Sequence, residues 1–208
     1  FGLSTERKLW DRDVVFLQFK PIQNPISART LYESYPMMSD LTGGIVESGS
    51  RISGGYRREI SRQLRFNIEA FYQSLLDHPV PVSLSENDWF LETARLTATG
   101  VKLDGTFKLN SIASLNLFAC WQDAMVSKDN IDKAAPAEAE LLAGLSGEYR
   151  MDRWNVAGDL IWYDKKPINL RGVETIPAHT EFNAKASYRI RSDILLSLTA
   201  ENLLNQQY

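Results

Sequence analysis

The sequence predicts an all-β fold, an antiparallel meander of about ten long strands that forms part of a transmembrane β-barrel. Three observations support this prediction. Side-chain character alternates with a period of two, the alternating segments are about 10 to 14 residues long, and short turns alternate with long connections. A mean hydropathy of −0.27 with 44% apolar residues fits such strands, because a lipid-facing set and a water-facing set average to a mildly hydrophilic value.

Composition excludes several other classes. A net charge of −3 and a pI of about 5.5 argue against a strongly basic nucleic-acid partner surface. The most apolar stretch, Ile112–Trp121, is short and contains serine and asparagine, whereas a membrane-spanning helix needs about 20 apolar residues. The single cysteine, Cys120, excludes an internal disulfide and is predicted to be a small apolar wall residue. Because the chain starts at Phe1 and stops at Tyr208 without clear end signals, we expect a piece of a longer protein.

The segment Trp154–Tyr163 shows the alternation. One set of side chains, which includes Trp154 and Trp162, is apolar, and the intervening set is mixed and includes Asp159. The same pattern predicts nine further strands, and the two weaker ones at the start are joined by the segment 21–27. The predicted strands are Val14–Lys20, Arg29–Tyr35, one around Gly55–Arg58, Leu64–Tyr72, Val101–Leu109, Leu115–Gln122, Leu141–Arg150, Trp154–Tyr163, Phe182–Ile190 and one over Ile194–Leu204.

The connections between the predicted strands alternate in length. Short turns are predicted near Ser61–Gln63, Asn110–Ala113, Met151–Arg153 and Arg191–Asp193, and long connections over about 36–50, 76–93, 127–138 and 165–179. Tight turns on one side and long loops on the other are typical of outer-membrane barrels. The composition shows no break along the chain, so residues 1–208 are predicted to form a single domain, a partial outer-membrane barrel.

Aromatic residues bracket the apolar face. Trp154 and Trp162 lie eight residues apart on it, which at about 3.3 Å per residue and about 45° tilt spans roughly 19 Å, close to the apolar band of an outer-membrane barrel. We therefore predict a set of membrane-interface aromatics. These are Tyr72, Trp121, Tyr149, Trp154, Trp162 and Tyr188.

The other face carries charges of both signs and is predicted to face the barrel interior, where residues on adjacent strands can pair. Arg58 is the exception, because it falls on the apolar face beside a short turn, where its stem could reach the membrane interface. The predicted interior charges are Arg57, Glu59, Arg65, Glu69, Lys102, Asp104, Lys108, Glu148, Asp159, Glu181, Lys185, Arg189 and Glu201.

The final residues, Leu198–Tyr208, read Leu-Thr-Ala-Glu-Asn-Leu-Leu-Asn-Gln-Gln-Tyr. This ending resembles the penultimate-strand signature of TonB-dependent outer-membrane receptors, in which an apolar strand runs into a Glu-Asn-Leu-Phe-Asp-x-x-Tyr-like sequence. Leu204 replaces the usual Phe and Asn205 the usual Asp. The matching signature positions are Glu201, Asn202, Leu203 and Tyr208.

Two looser matches extend this resemblance over about residues 50–208. The segment Gly100–Gly105 is similar to the family's Gly-(Val/Ile)-Glu-Leu-Glu-Gly strand, with Lys102 in place of the acid. The segment Gly55–Arg58, followed by Leu64–Tyr72, resembles the family's Gly-Tyr/Leu-Arg strand and an Ala-Phe-Tyr strand end.

The resemblance implies a barrel of about 22 strands around a plug. This chain would then be the C-terminal part of that barrel, without the plug, the TonB box and the closing strand. The implied function is TonB-dependent uptake, across a Gram-negative outer membrane, of a scarce nutrient such as a ferric siderophore, cobalamin, haem or a glycan. The implied partners are outer-membrane lipid, the TonB complex through N-terminal parts outside the chain, and a small-molecule or metal-chelate ligand.

Other functions stay open at this point. A passive porin-like or structural barrel is the alternative transport function, and an outer-membrane enzyme or a soluble β-sandwich are further ones. No catalytic constellation, metal-ligand spacing or cofactor motif is evident, and the two histidines, His78 and His179, fall in predicted loops, where exposure to solvent is expected. Trp89 and Phe90, in the predicted loop 76–93, are the candidate ligand-binding residues, with interfacial anchoring as their alternative role.

Overall fold

The computed structural model of the chain describes residues 2–26, 45–85, 88–128, 131–136, 138–168 and 174–205. These residues form β-structure, and no helix among them is long and apolar enough to cross a membrane. The strands are β1 (Leu3–Trp10), β2 (Asp13–Ile26), β3 (Ile45–Glu59), β4 (Leu64–Ser85), β5 (Asp88–Lys108), β6 (Ala113–Lys128), β7 (Ile131–Ala134), β8 (Leu141–Met151), β9 (Trp154–Tyr163), β10 (Lys166–Pro167), β11 (Thr175–Ile176), β12 (His179–Arg191) and β13 (Ile194–Ala200).

Ten of these strands form one antiparallel sheet in the order β1-β2-β3-β4-β5-β6-β8-β9-β12-β13. Each strand therefore pairs with its neighbours along the chain, and the predicted all-β meander of about ten strands is confirmed. The short strand β7 pairs with β6, and β10 and β11 form a separate two-stranded sheet. The short turns join successive strands at one end of the sheet, here called the short-turn end, and the other connections lie at the long-connection end.

The four predicted short turns are confirmed, and a fifth, Asp11–Arg12, joins β1 to β2. The prediction missed β1 because every residue of this edge strand is exposed, so no buried face imposes an alternation on its sequence. The predicted connection over 21–27 is wrong, since β2 continues to Ile26. The predicted strand Arg29–Tyr35 lies outside the described residues.

The predicted long loop over 76–93 is also wrong, because β4 and β5 extend through it as a long hairpin. Pro79 and Pro81 suggested a loop, since proline lacks the N–H that a central strand needs. In the structure β4 pairs with β3 only as far as Leu76, so both prolines lie where β4 has β5 as its partner on one side. A proline is tolerated at the edge of a sheet, and among the described residues β4 is such an edge at both positions.

Four smaller differences concern the other connections and the last strand. β3 begins at Ile45, so the connection predicted over 36–50 extends too far along the chain. The region 127–138 contains β7, and the region 165–179 contains the hairpin of β10 and β11. The last strand ends at Ala200 rather than at Leu204.

The two faces of the sheet differ as the alternation predicts. The apolar face exposes large side chains along its whole breadth, for example Leu17 at 55%, Leu117 at 57% and Trp154 at 48%. The opposite, mixed face carries the charges and also the main buried apolar cluster, which lies on β4, β5 and β6 and the residue after β7, towards the long-connection end. The cluster consists of Phe71, Leu75, Val80, Ala94, Leu96, Ala98, Val126 and Ala135.

Candidate functional site

The charges of the mixed face form ion pairs between neighbouring strands, as predicted. Arg51 of β3 contacts Glu69 of β4 at 2.9 Å with both side chains largely shielded, and Arg65 of β4 contacts Glu59 of β3 at 2.9 Å. Lys102 pairs with Asp104 at 3.2 Å within β5. Pairing of this kind lets a wall keep many charges at low cost where water or packed protein faces it.

Three phenylalanines on the mixed face lie directly over glycines of the next strand in the sheet. The register pairs are Phe16 with Gly55, Phe71 with Gly100 and Phe118 with Gly144. A Cβ atom added at these glycines would lie 2.6, 2.7 and 2.4 Å from the facing ring, so no other residue fits without movement. Each ring therefore lies flat against the wall, an aromatic cover for a strand glycine.

Arginines of the mixed face cover two of these rings. The guanidinium carbon of Arg51 lies 4.1 Å from the centre of the Phe71 ring, and that of Arg57 lies 5.6 Å from the centre of the Phe16 ring. Cation–π contacts at these distances are attractive. Glycine, phenylalanine ring and guanidinium are thus stacked in that order. The outermost group on the mixed face is charged at these two positions.

Near the long-connection end, the histidine predictions need correction. His78 lies in β4, with Nδ1 at 2.5 Å from the Glu47 carboxylate, and both side chains are mostly buried. His179 begins β12 and is only 5% exposed; its ring stacks on Tyr163 with a centroid distance of 4.9 Å. The expectation of solvent-exposed loop histidines is therefore wrong, because both belong to strands whose polar face packs against neighbours.

A cleft of about 360 Å³ opens at the long-connection end, between the segment that follows β7 and the hairpin of β10 and β11. Gln122 lines one side of the cleft and donates hydrogen bonds to Glu138 Oε2 at 2.8 Å and to the Ala139 carbonyl at 3.3 Å. Lys165 and Lys166 line the opposite side. The cleft thus offers carboxylate, amide and ammonium groups to a solute that reaches this end of the sheet.

The predicted interface aromatics all lie on the apolar face, and five of the six are exposed. Tyr188 is partly covered by Trp154, whose ring centre lies 4.7 Å away. Trp154, Tyr149 and Tyr188 lie towards the short-turn end, whereas Trp121 and Trp162 lie further along their strands. Their location at the two membrane interfaces stays a prediction.

The candidate ligand-binding residues Trp89 and Phe90 fall in β5 opposite Ser83 and Val82, but their side chains are outside the described part of the structure. Their role stays a prediction. Sequence reasoning missed the cleft around Gln122, because its lining comes from three segments that only the sheet register brings together.

Residues of the family signature lie at the C-terminal end of β13 and form hydrogen bonds with β12. Glu201 is exposed, Asn202 has a φ of 48°, and its backbone N–H donates to Asn183 Oδ1 at 2.9 Å. The Leu203 N–H donates to the Phe182 carbonyl at 2.8 Å. These bonds tie the end of β13 back to β12, whereas Tyr208 lies outside the described residues.

Basic residues gather at the short-turn end. The five short turns, with four residues on either side, hold twelve basic and six acidic residues, a net charge of +6 in a chain whose net charge is −3. The basic residues are Arg7, Lys8, Arg12, Arg57, Arg58, Arg62, Arg65, Lys108, Arg150, Arg153, Arg189 and Arg191. The acidic residues are Asp11, Asp13, Glu59, Glu148, Asp152 and Asp193. The remainder of the chain is accordingly acidic.

Metal and catalytic sites are not evident in the described ranges. Across those ranges no group of three or more His, Cys, Asp or Glu side chains could hold a metal ion. The mixed face instead offers a charged wall and a polar cleft at one end. A long-stranded antiparallel meander with an exposed apolar face and a charged opposite face has the construction of an outer-membrane β-barrel wall.

No protein-family model and no curated protein sequence matches the chain. Solved structures do match. The ferric yersiniabactin uptake receptor FyuA from Yersinia pestis aligns with a TM-score of 0.62 at 13% identity over 99% of this chain, and the copper transporter OprC with 0.61 at 13% over 100%. BauA, the ferric preacinetobactin receptor from Acinetobacter baumannii, aligns with 0.60 at 15% identity over 99%.

This chain covers only about a third of each of those structures, namely 32% of FyuA, 34% of OprC and 32% of BauA. The three are TonB-dependent receptors. The chain therefore has the fold of one sector of a TonB-dependent receptor barrel, and the fold that the sequence resemblance implied is confirmed.

Proposed function

We propose that this chain is part of the barrel of an outer-membrane active-transport receptor that takes up a scarce nutrient in a TonB-dependent manner. One observation supports it above the others: a sheet with an exposed apolar face and an ion-paired mixed face aligns over 99% of the chain with a receptor of this architecture. The apolar face would contact outer-membrane lipid, the mixed face would line the interior, and the chain would act as a transporter rather than an enzyme.

A metal or metal chelate is the ligand class that the structural neighbours favour. Their names describe a ferric yersiniabactin receptor, a ferric preacinetobactin receptor and a copper transporter. Cobalamin, haem and glycans are the other ligands to test. In this chain the cleft beside Gln122 and Lys166 is the described region best placed to meet a ligand, because it combines both charge signs at the long-connection end.

The experiment is an uptake assay in the bacterium that produces the protein. Cells with and without the intact gene are supplied with radioactive iron as catecholate or hydroxamate siderophores, with haem, with labelled cobalamin and with copper. Each comparison is repeated in a strain that lacks TonB. We expect uptake of one of these compounds to fall to background when either gene is removed.

A passive barrel gives a different result. Loss of the gene would then reduce the entry of many small solutes, and removal of TonB would have no further effect. Uptake that depends on the gene but not on TonB would contradict the proposed mechanism while leaving the barrel fold intact.

A further inference from the structure

The short-turn end carries a pair of arginines that belongs to the apolar face. Arg58 and Arg7 lie on this face of β3 and β1, since their register partners Asp13 and Val15 are neighbours on the same face of β2. Arg12, in the turn from β1 to β2, instead lines a cleft with Lys8 and Arg57 of the mixed face. Two cationic side chains thus lie on either side of β2, near two adjacent short turns.

The carboxylate of Asp13, beside Arg58, already has two partners. Asp13 is 6% exposed, accepts a hydrogen bond from the Tyr56 hydroxyl and lies 3.6 Å from Arg58 Nε. The Arg58 side chain nevertheless stays 56% exposed. Asp13 therefore orients Arg58 without enclosing it, and the guanidinium keeps donors available for a further anion.

Apolar side chains continue directly from these two arginines along the same face. Trp10, which is 71% exposed, is the register partner of Asp13, so it lies on the opposite side of Asp13 from Arg58. Val15 and Leu17 follow on β2 and are 40% and 55% exposed. A ligand that fits this surface has an anionic head beside the arginines and an apolar tail along the strands.

We propose that Arg7 and Arg58 form a binding site for the phosphate of an anionic phospholipid at the short-turn side of the membrane. This proposal rests on the proposed membrane location of the apolar face. Charge complementarity and continuity with that face support a lipid rather than a soluble anion, because a soluble anion would leave Trp10, Val15 and Leu17 uncovered. The Arg58 stem follows the apolar surface and its charged end reaches the headgroups.

The experiment identifies the lipid beside Trp10. The full-length protein is folded into vesicles of equal parts phosphatidylglycerol and phosphatidylcholine, with a benzoylphenylalanine photocrosslinker in place of Trp10. The captured lipids are counted by mass spectrometry. A matched control carries the crosslinker in place of Trp154, which lies beside another short turn on the same face.

We expect about five molecules of phosphatidylglycerol to be captured at the Trp10 position for each molecule of phosphatidylcholine. A preference of about fivefold is the one expected for one net positive charge near a membrane surface. The excess should be clearly smaller at Trp154. The double variant Arg7→Gln, Arg58→Gln should lower the ratio at Trp10 to the Trp154 value, while lipid capture at Trp154 shows that the variant is still inserted.

Equal ratios at the two positions, or a ratio at Trp10 that the double variant leaves unchanged, would overturn the lipid site. Capture of no lipid at either position would instead contradict the membrane location on which the proposed function depends. The two failures are therefore distinguishable.

Discussion

Single glycines on the mixed face control how closely neighbouring strands and rings pack. Gly144 is covered by Phe118 and also faces the Leu160 carbonyl, so a Cβ atom there would meet both at under 3 Å. Gly105, on the apolar face of β5, offers a contrast, because a Cβ atom there would come no closer than 3.9 Å to the Leu117 carbonyl. Glycine is thus required at position 144, whereas a residue with a Cβ atom fits at position 105.

The first prediction concerns this difference. Gly144→Ala should lower the free energy of unfolding by about 1 to 3 kcal/mol, as overpacking does elsewhere, and Gly105→Ala should change it little. The measurement is urea-induced unfolding of the full-length protein in vesicles. The double variant with Phe118→Leu should recover part of the loss, and equal stability of the two alanine variants would show that the ring does not restrict Gly144.

The sequence alone assigns these residues to the correct face, but it does not show which phenylalanine contacts which glycine. The alternation assigns Phe71 and Phe118 to the mixed set, yet the contact of each with one glycine depends on strand register. Register is determined by turn geometry and by long-range pairing, which a single sequence does not specify to the residue. For the same reason the contact between His78 and Glu47 could not be predicted.

At the scale of the strands, the distal part of the hairpin of β4 and β5 differs from the rest. Within the described part of the chain, β4 and β5 pair only with each other between Val82 and Glu92, because β3 pairs with β4 up to Leu76 and β6 pairs with β5 from Arg95. A two-stranded ribbon is less protected than a sheet interior. Prolines misled the sequence prediction in this hairpin, whereas the short turns, with their polar residues between alternating runs, were predictable.

The second prediction follows from this pairing. Backbone amides of residues 82–92 should exchange with deuterium markedly faster than those of Ile68–Gln73, which pair with strands on both sides. Hydrogen-exchange mass spectrometry of the detergent-solubilised protein measures this directly. Equal protection of the two segments would mean that another part of the protein pairs with the distal hairpin.

The third prediction compares adjacent residues of β8. Leu145 lies on the apolar face, and Ser146 lies on the mixed face opposite Asp159 and Asn116. Leu145→Arg should cost about 2 to 4 kcal/mol of folding free energy in a bilayer, and Ser146→Arg should cost much less because an anionic partner is near. Both values come from urea titrations of the protein in vesicles, and a larger cost for Ser146→Arg would reverse the assignment of the two faces.

At the scale of the whole molecule, the chain is divided in two ways. Across the sheet, the apolar face and the mixed face separate lipid-compatible from charged side chains. Along the strands, the short-turn end is basic and the remainder is acidic. The first division supports the barrel, and the second supports the lipid site at Arg7 and Arg58.

The central claim is that the apolar face contacts lipid. It is tested most directly by spin labels placed singly along β9 from Val156 to Tyr163, in the full-length protein with Cys120→Ser, folded into vesicles. Electron paramagnetic resonance then measures collisions with oxygen, which concentrates in lipid, and with a water-soluble nickel chelate. We predict a period of two, with oxygen favoured at Val156, Gly158, Leu160 and Trp162 and the chelate favoured at the positions between them. Equal access of the chelate to both sets would contradict a lipid-facing wall.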